Sequence, residues 1–341
     1  MARQARSPRA KKVSKASARP PVPGKLPAPP ELTDLDRALI DRLRLDGREG
    51  SRSLAHRLGV NEVTVAARLR RLEEAGIMRV VAVTDIRLFG RREFAFAMFR
   101  VSGRSIHDVA ADVAKLPETV GATITAGAFD IIVPVLCRDR HQLSEMFGTV
   151  LPSIDGVDRV HGSMALDVLK YDSKWALFRA DPGTTPEAQP SETVDETDLD
   201  IIRILQRNAR RSNRSIAGEL GVSEGTIRSR IKRMVADRVF RIQAVCDVVA
   251  FGYGAHAFIT ITTHPGMAED VAAMLAERDD VSQLTRVLDD FDLIALVMGR
   301  DHDSLMSAVL DEIALLPGIC RAETFYGCRS LKHTYAWTWI V

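Results

Sequence analysis

The sequence predicts an α+β protein made of two tandem copies of a helix-turn-helix domain followed by a ferredoxin-like βαββαβ domain. Three observations carry this. The chain matches itself at a constant offset of 162 residues. Each copy opens with apolar residues at helical spacing. Each then changes to the alternation of half-buried strands. The length of 341 residues suits two to four domains at roughly 100–200 residues each.

The first element is a basic tail. Residues 1–31 hold seven of the fifteen prolines, and residues 1–30 carry eight Lys/Arg and no acid. Such a segment cannot offset its own ordering entropy and is expected to be disordered. The helix-turn-helix of copy one is expected over 32–80. Leu35, Leu39, Ile40 and Leu43 form one helical stripe, with Thr33 and Asp36 as a capping pair. A break at Asp46-Gly47 precedes a short helix, Ser53–Leu58, that stops at Gly59. Asn61 caps a third helix with Val65, Leu69 and Leu72 on its buried side. Two short helices around a glycine turn make the DNA-binding motif.

Residues 81–172 are expected to form the ferredoxin-like unit. Phe94, Phe96 and Met98 alternate with Ala95, Ala97 and Phe99 as in a strand. Helices follow at Ser105–Leu116 and Asp139–Leu151, with strands at Val120–Thr125, Phe129–Cys137 and Val157–Leu169. Pro134 is awkward in a central strand, because it has no N–H to give. A bulge or an edge position would accommodate it.

A Pro/Gly-containing linker is expected over 173–193, and copy two follows as 194–242 and 243–341. Over 32–79 against 194–241, fifteen of 48 positions are identical, Asp36/Asp198, Arg48/Arg210, Arg68/Arg230 and Arg71/Arg233 among them. A repeat this long is a duplicated domain pair.

Charge separates along the chain. The net charge is +2 overall, with +2 on residues 32–79, +4 on 194–241 and −12 on the rest of the body after residue 30. Positive charge at the tail and helical heads is the footprint of phosphate binding. Candidate DNA contacts are Asn61, Thr64, Arg68, Arg70 and Arg71 in copy one, and Ser223, Thr226, Arg228, Arg230 and Arg233 in copy two. Asn61 and Ser223 equally suit plain helix caps, and Arg68 and Arg230 could pair with Asp36 and Asp198. The two helices differ at Val63/Gly225, Ala66/Arg228 and Ala67/Ser229, so unlike half-sites are expected.

Other classes fall away. No run of 18 apolar residues exists, so no spanning helix is expected. The basic N-terminus lacks the apolar core of a secretory signal. Cys137, Cys246, Cys320 and Cys328 form no C-x-x-C pair, which makes a reducing cytoplasm, with nucleoid association, the expected location. No metal cluster, cofactor motif or catalytic constellation stands out.

Leu32–Asp36, Asp46-Gly47-Arg48, Leu54-Ala55, Leu58-Gly59-Val60, Arg68–Glu73 and Gly76-Ile77 together resemble the head of the Lrp/AsnC (feast/famine) regulators. Ala126-Gly127-Ala128-Phe129-Asp130 resembles that family's Gly-x-Tyr/Phe-Asp turn, and Gly156-Val157 to Leu169-Lys170 its final strand. The resemblance implies a winged-type head on a ferredoxin-like effector domain, double-stranded DNA as partner, and an amino acid or related metabolite bound between effector domains. Carried over by position, effector candidates are Thr125, Gly127, Phe129 and Asp130, with Asp292 in copy two. Asp130 and Asp292 would serve equally as turn-stabilising carboxylates. Copy two departs from the motif with Asp289 at the glycine position, which puts its ligand site in doubt, and has Arg238 in place of Gly76. Fusion implies an intramolecular pseudo-dimer addressing half-sites about 34 Å apart, with homo-oligomers built from it.

Two alternatives accompany this reading. Siroheme decarboxylases share the architecture, but Ile124-Thr125-Ala126-Gly127 and Leu284-Thr285-Arg286-Val287 lack the strand patterns of those enzymes, so a non-enzyme is expected. A nucleoid-organising protein would bind DNA with little sequence preference.

Overall fold

The computed structural model describes residues 31–178, 180, 193–335 and 337–338. The basic tail and most of the expected linker lie outside them. Thr33 and Asp36 form the expected capping box ahead of α1 (Asp34–Leu45). α2 (Ser51–Leu58) ends on left-handed Gly59, and α3 (Glu62–Glu74) starts at the Asn61 cap. The chain continues through β1 (Met78–Asp85), β2 (Glu93–Val101), α4 (Ile106–Ala114), β3 (Gly121–Ala126), β4 (Ile131–Cys137), α5 (Arg140–Glu145), β5 (Val157–Tyr171) and β6 (Trp175–Ala176). Copy two repeats the series as α6 (Glu196–Arg207), α7 (Asn213–Leu220), α8 (Glu224–Ala236), β7 (Phe240–Asp247), β8 (Ala255–Thr263), α9 (Ala268–Glu277), β9 (Val281–Leu288), β10 (Leu293–Gly299), α10 (His302–Ser307), β11 (Ile319–His333) and β12 (Trp337–Thr338). α5 and α10 each widen into a π-helical turn, Met146–Val150 and Ala308–Glu312.

Two boundaries need correction. The expected breaks at 80/81 and 242/243 fall inside β1 and β7, so head and effector domain share a strand in each copy. The expected linker is also structured at its start. Trp175–Ala176 join the central sheet parallel to β7, because Ala176 is fully buried and the Trp175 ring packs edge-on to Phe251 and Tyr253.

The two copies are built into each other. A central sheet runs β12-β1-β7-β6, with β1 and β7 antiparallel from Met78↔Cys246 to Thr84↔Phe240. The heads sit on the partner copy's strand of this ribbon. Gly47 N–H donates to Ile242 O at 3.0 Å, and the equivalent Ala209 N–H to Val80 O at 2.9 Å. At Gly47 the approach is so close that a Cβ would lie 2.9 Å from the Gln243 nitrogen. Arg48 donates to Asn213 Oδ1 (3.0 Å) in the other head, and Arg210 returns the contact to Gly47 O (3.2 Å).

The effector sheets, ordered β3-β4-β2-β5 and β9-β10-β8-β11, close on each other as one eight-stranded barrel through β5–β9 and β11–β3. Each edge strand thereby covers the other copy's edge. Helices pack outside: Val109, Ala110 and Val113 of α4 fill one sandwich core, and Val271, Ala272 and Leu275 of α9 the other. The Leu-Lys pair ending each copy now has a physical role. Lys170 Nζ donates to Ala276 O (2.8 Å) and Arg278 O (2.6 Å) at the end of α9; Lys332 Nζ donates to Leu116 O (2.9 Å) beyond α4. An ammonium at carbonyls left open by a helix end is favourable, and each lysine serves the other copy.

Pro134 sits in β4 opposite Phe96 of β2. On its other flank the β3 ladder stops at Thr123↔Ile132, and Gly121 leaves room for the proline ring. The missing N–H therefore falls where no ladder partner is required, and Pro134 O still accepts from Val120 N–H at 3.0 Å.

Candidate nucleic-acid interface and effector turns

α3 and α8 are held by buried stripes, Val65/Leu69/Leu72 and Ile227/Ile231/Met234. This fixes which residues face outward. Asn61 Oδ1 accepts from Thr64 N–H (2.7 Å) and Ser223 Oγ from Thr226 N–H (3.0 Å), so both act as caps. Both are exposed at the open first turn, where the helix dipole favours an anion.

The arginines divide into two groups. Arg68 and Arg71 reach back to fully buried Asp36, Arg71 at 2.8 Å. In copy two Arg230 binds Asp195 (2.7 Å) and Asp198 (2.9 Å), while Arg233 binds Asp198 and Thr193 O. Hydrogen bonds from Arg230 hold the Asp195 carboxyl below the usual carboxylate range. These four side chains fasten the recognition helix to the first helix of its head. Their guanidinium groups pair within the head, while the side chains of Arg71 and Arg233 remain exposed to solvent. Arg70 is exposed and has no partner among the described residues, and neither does Lys232 on the matching face of α8. Arg228 is exposed and pairs with Glu224 of its own helix at 2.7 Å. Val63 stands 78% exposed at the start of α3, outside the core.

The effector turns bring Thr125, Gly127, Phe129 and Asp130 together. Asp130 Oδ2 accepts from Val101 N–H (2.8 Å), its own N–H donates to Phe99 O (2.8 Å), and Thr125 Oγ1 donates to Phe129 O (2.8 Å). Asp292 repeats this, accepting from Thr263 N–H (2.7 Å) and Oγ1 (2.8 Å). Both carboxylates therefore lock the turn through at least one oxygen. Gly127 lies against β11 of the other copy, 3.2 Å from Thr324 O at its Cβ position. The Phe129 ring lies between His161 (5.7 Å) and Phe325 (6.0 Å). At the equivalent of Gly127, Asp289 instead reaches across to His161 Nε2 at 2.7 Å. The two turns are thus unlike: one packs a glycine closely against β11, and the other carries an aspartate hydrogen-bonded to His161.

The Lrp/AsnC ligand-binding domain model matches residues 94–175 and 256–337, and the AsnC-type helix-turn-helix model matches 32–73 and 194–235. The chain belongs to the Lrp/AsnC family of transcription regulators. This Lrp/AsnC chain is 30% identical over 140 residues to the HTH-type transcriptional regulator FL11 of Pyrococcus furiosus, covering 41% of this chain and 92% of that one. It is 31% identical over 140 residues to the regulator Ptr1 of Methanocaldococcus jannaschii, 41% and 95%. Both relatives are therefore the length of one copy. A solved structure of the siroheme decarboxylase NirDL superposes with a TM-score of 0.65 over 88% of this chain and 93% of that one, at 17% identity. That likeness is one of fold: it has the extent of the tandem chain. Among the described residues, no helix is long and apolar enough to cross a membrane.

His256 and His333, which in the sequence read as scattered surface or strand histidines, and Trp175, which fell in the expected linker, line a cavity in the barrel. The signal was available in the repeat: His256 stands where copy one has Phe94, and His333 where it has Tyr171.

Proposed function

We propose that this chain is a sequence-specific DNA-binding regulator, non-enzymatic, whose two heads read unlike half-sites of one operator. The observation that supports it most is the pair of recognition helices fixed on a single β1–β7 ribbon with different outward faces: Val63 and Arg70 on one, Arg228, Ser229 and Lys232 on the other. Asn61, Thr64, Ser223 and Thr226 would meet phosphate or base edges at the helix starts, and Arg70 and Arg228 would reach along the groove. Arg68, Arg71, Arg230 and Arg233 position the helices, and any phosphate they touch is reached while holding Asp36 or Asp198.

In this reading, DNA affinity responds to an amino acid or related metabolite taken at the copy-one turn, by Thr125, Gly127, Phe129 and the free oxygen of Asp130. The turn carrying Asp292 is bridged by Asp289 and His161 and takes either no ligand or a different one. Higher assembly joins pseudo-dimers, and the protein works in the cytoplasm on the nucleoid. Fluorescence anisotropy with a labelled duplex over a salt series tests the DNA contact. Arg70→Ala and Lys232→Ala should each flatten the slope of log affinity against log salt by about 1. Unchanged slopes in both would remove these helices from the interface.

A further inference from the structure

The barrel is not filled throughout. Toward the end bounded by Trp175 and Leu177 it holds a cavity of about 580 Å³ that is partly open to solvent, within the range of small-molecule sites. Its lining spans the pseudo-twofold axis, and equivalent positions in the two copies have diverged in chemistry. On the copy-one side stand Phe94, Val120 and Val168; their counterparts on the copy-two side are His256, Ser282 and Ser330. The lining is mixed on both sides, with Thr123 and Asp172 polar in copy one and Phe258 and Leu296 apolar in copy two, and His256, Ser282 and Ser330 add hydrogen-bonding groups where copy one has apolar side chains.

These added groups are built in rather than incidental. His256 Nε2 lies 3.4 Å from Ser330 Oγ, which in turn lies 2.9 Å from Thr123 Oγ1. The imidazole fits because residue 327 is glycine: a Cβ there would stand 2.2 Å from His256 Nε2. Copy one, with Phe94 in place of the histidine, has Ala165 at the matching position. The two copies thus differ at both contacting positions, Phe94/His256 and Ala165/Gly327. Burial holds both His256 and His333 below the ordinary imidazole range, so both are neutral. The charged groups around the cavity are already engaged or face solvent. Lys332 is bound to Leu116 O, Asp172 pairs with Lys174 at 2.7 Å, and Arg329 is exposed. The buried Lys332 ammonium is held by Leu116 O and Thr119 Oγ1, so an anion in the cavity would lose hydration and gain that counter-charge only by drawing the lysine from these partners.

The cavity also touches a head. Trp175 forms part of its wall, and on that ring stacks Arg44 of α1, its guanidinium carbon 4.7 Å from the centroid. Arg44 Nε and Nη2 are buried there without a hydrogen-bond acceptor, so their environment depends on where the indole lies. The other head has Gln206, an uncharged amide, at the equivalent place, bonded to Thr84 Oγ1 at 3.2 Å.

We propose that this barrel cavity is a second ligand site, separate from the effector turns, for one uncharged amphipathic molecule per chain with an aromatic or alicyclic body and a hydrogen-bonding edge. Occupancy is read by the first head through Trp175 and Arg44. The site stands on the cavity alone; the readout rests on the DNA-binding reading.

The test uses the full chain with two dyes of one ring system: uncharged N-phenyl-1-naphthylamine and anionic 8-anilinonaphthalene-1-sulfonate. The neutral dye should bind saturably, one per chain, and the sulfonate at least about tenfold more weakly. Val168→Trp, which fills the cavity from copy one, should abolish binding, and His256→Phe should weaken it several-fold. Leu296→Trp repeats the filling test from the other copy should Val168→Trp fail to fold. The site is overturned if the neutral dye does not bind, or if folded filled variants bind it as well as the parent. For the readout, duplex affinity is measured with and without the neutral dye in the parent and in Arg44→Gln, which copies the second head. A shift present in the parent and absent in Arg44→Gln supports the coupling. A shift of equal size in both, or none in the parent while the duplex still binds, refutes it.

Discussion

At the scale of single residues, the recognition helices separate fastening from reading. Asp36 is fully buried and receives Arg71 at 2.8 Å and Arg68 at 3.4 Å. Arg71→Ala should therefore cost the first head about 1–3 kcal/mol in urea unfolding, the penalty for leaving a buried carboxylate short of a partner. Arg70→Ala, one position away and exposed, should leave stability within about 0.5 kcal/mol and lower only DNA affinity. Arg228→Ala should cost about 1–3 kcal/mol of binding if the side chain reads a base, and relax one position of the site; a loss uniform over sequences would make it a phosphate contact. The sequence showed which residues are cationic and outward at helical spacing and allowed Arg68 and Arg230 to pair with Asp36 and Asp198, but not that Arg71 and Arg233 are taken as well. Asp36 lies 32 and 35 positions from Arg68 and Arg71, and only the folded head brings them together. The pH dependence belongs here too. Burial lowers His333 to about 4 and lowers His256 from 6.5. In the unfolded chain both take a proton near their ordinary value. Stability is then complete above about pH 6.5 and is lost as pH falls from there toward 4, by on the order of 2–3 kcal/mol for His333. A thermal midpoint that stays flat over that window would show these imidazoles to be freely protonated in the folded protein.

At the scale of elements, order and type were legible and partners were not. Helical and period-two stripes are local, so α1 to α3 and the βαββαβ order followed from residue spacing. Strand pairing between the copies is decided over more than 100 residues. That β1 would pair with β7 could not be read from Val80–Val83, and Trp175-Ala176 looked like linker because two residues carry no period. The duplication makes local costs visible. After α3 the chain turns on Gly76 (φ 65°), whereas after α8 the same turn is made by Arg238 at φ 55°. A side chain in the left-handed region costs roughly 1–2 kcal/mol. Arg238→Gly should stabilise the second head by up to about 1 kcal/mol, the gain being reduced by the freer unfolded chain. Differential scanning calorimetry would detect it, and a destabilised variant would show that the Arg238 side chain makes a contact worth more than its strain.

At the scale of the whole molecule, the chain is a pseudo-twofold pair of copies that differ at particular positions. Lys170 and Lys332, Arg48 and Arg210, and Gly47 and Ala209 each bind the opposite copy at matching positions, which preserves the twofold frame. Asp289, His256, Gly327, Arg44 and Arg238 break it. Because barrel and ribbon both need two copies, neither half buries its edges alone. The halves 1–180 and 181–341, produced separately and mixed, should assemble as a one-to-one complex with restored thermal stability. Halves that stay folded monomers would contradict the shared barrel. The most direct measurement of the central claim is selection of binding sites from a random duplex pool by the purified full chain. Two unlike half-sites about one helical turn apart, with Arg228→Ala relaxing only one of them, is the predicted result. A perfectly palindromic consensus, or no enrichment at low ionic strength, would contradict it.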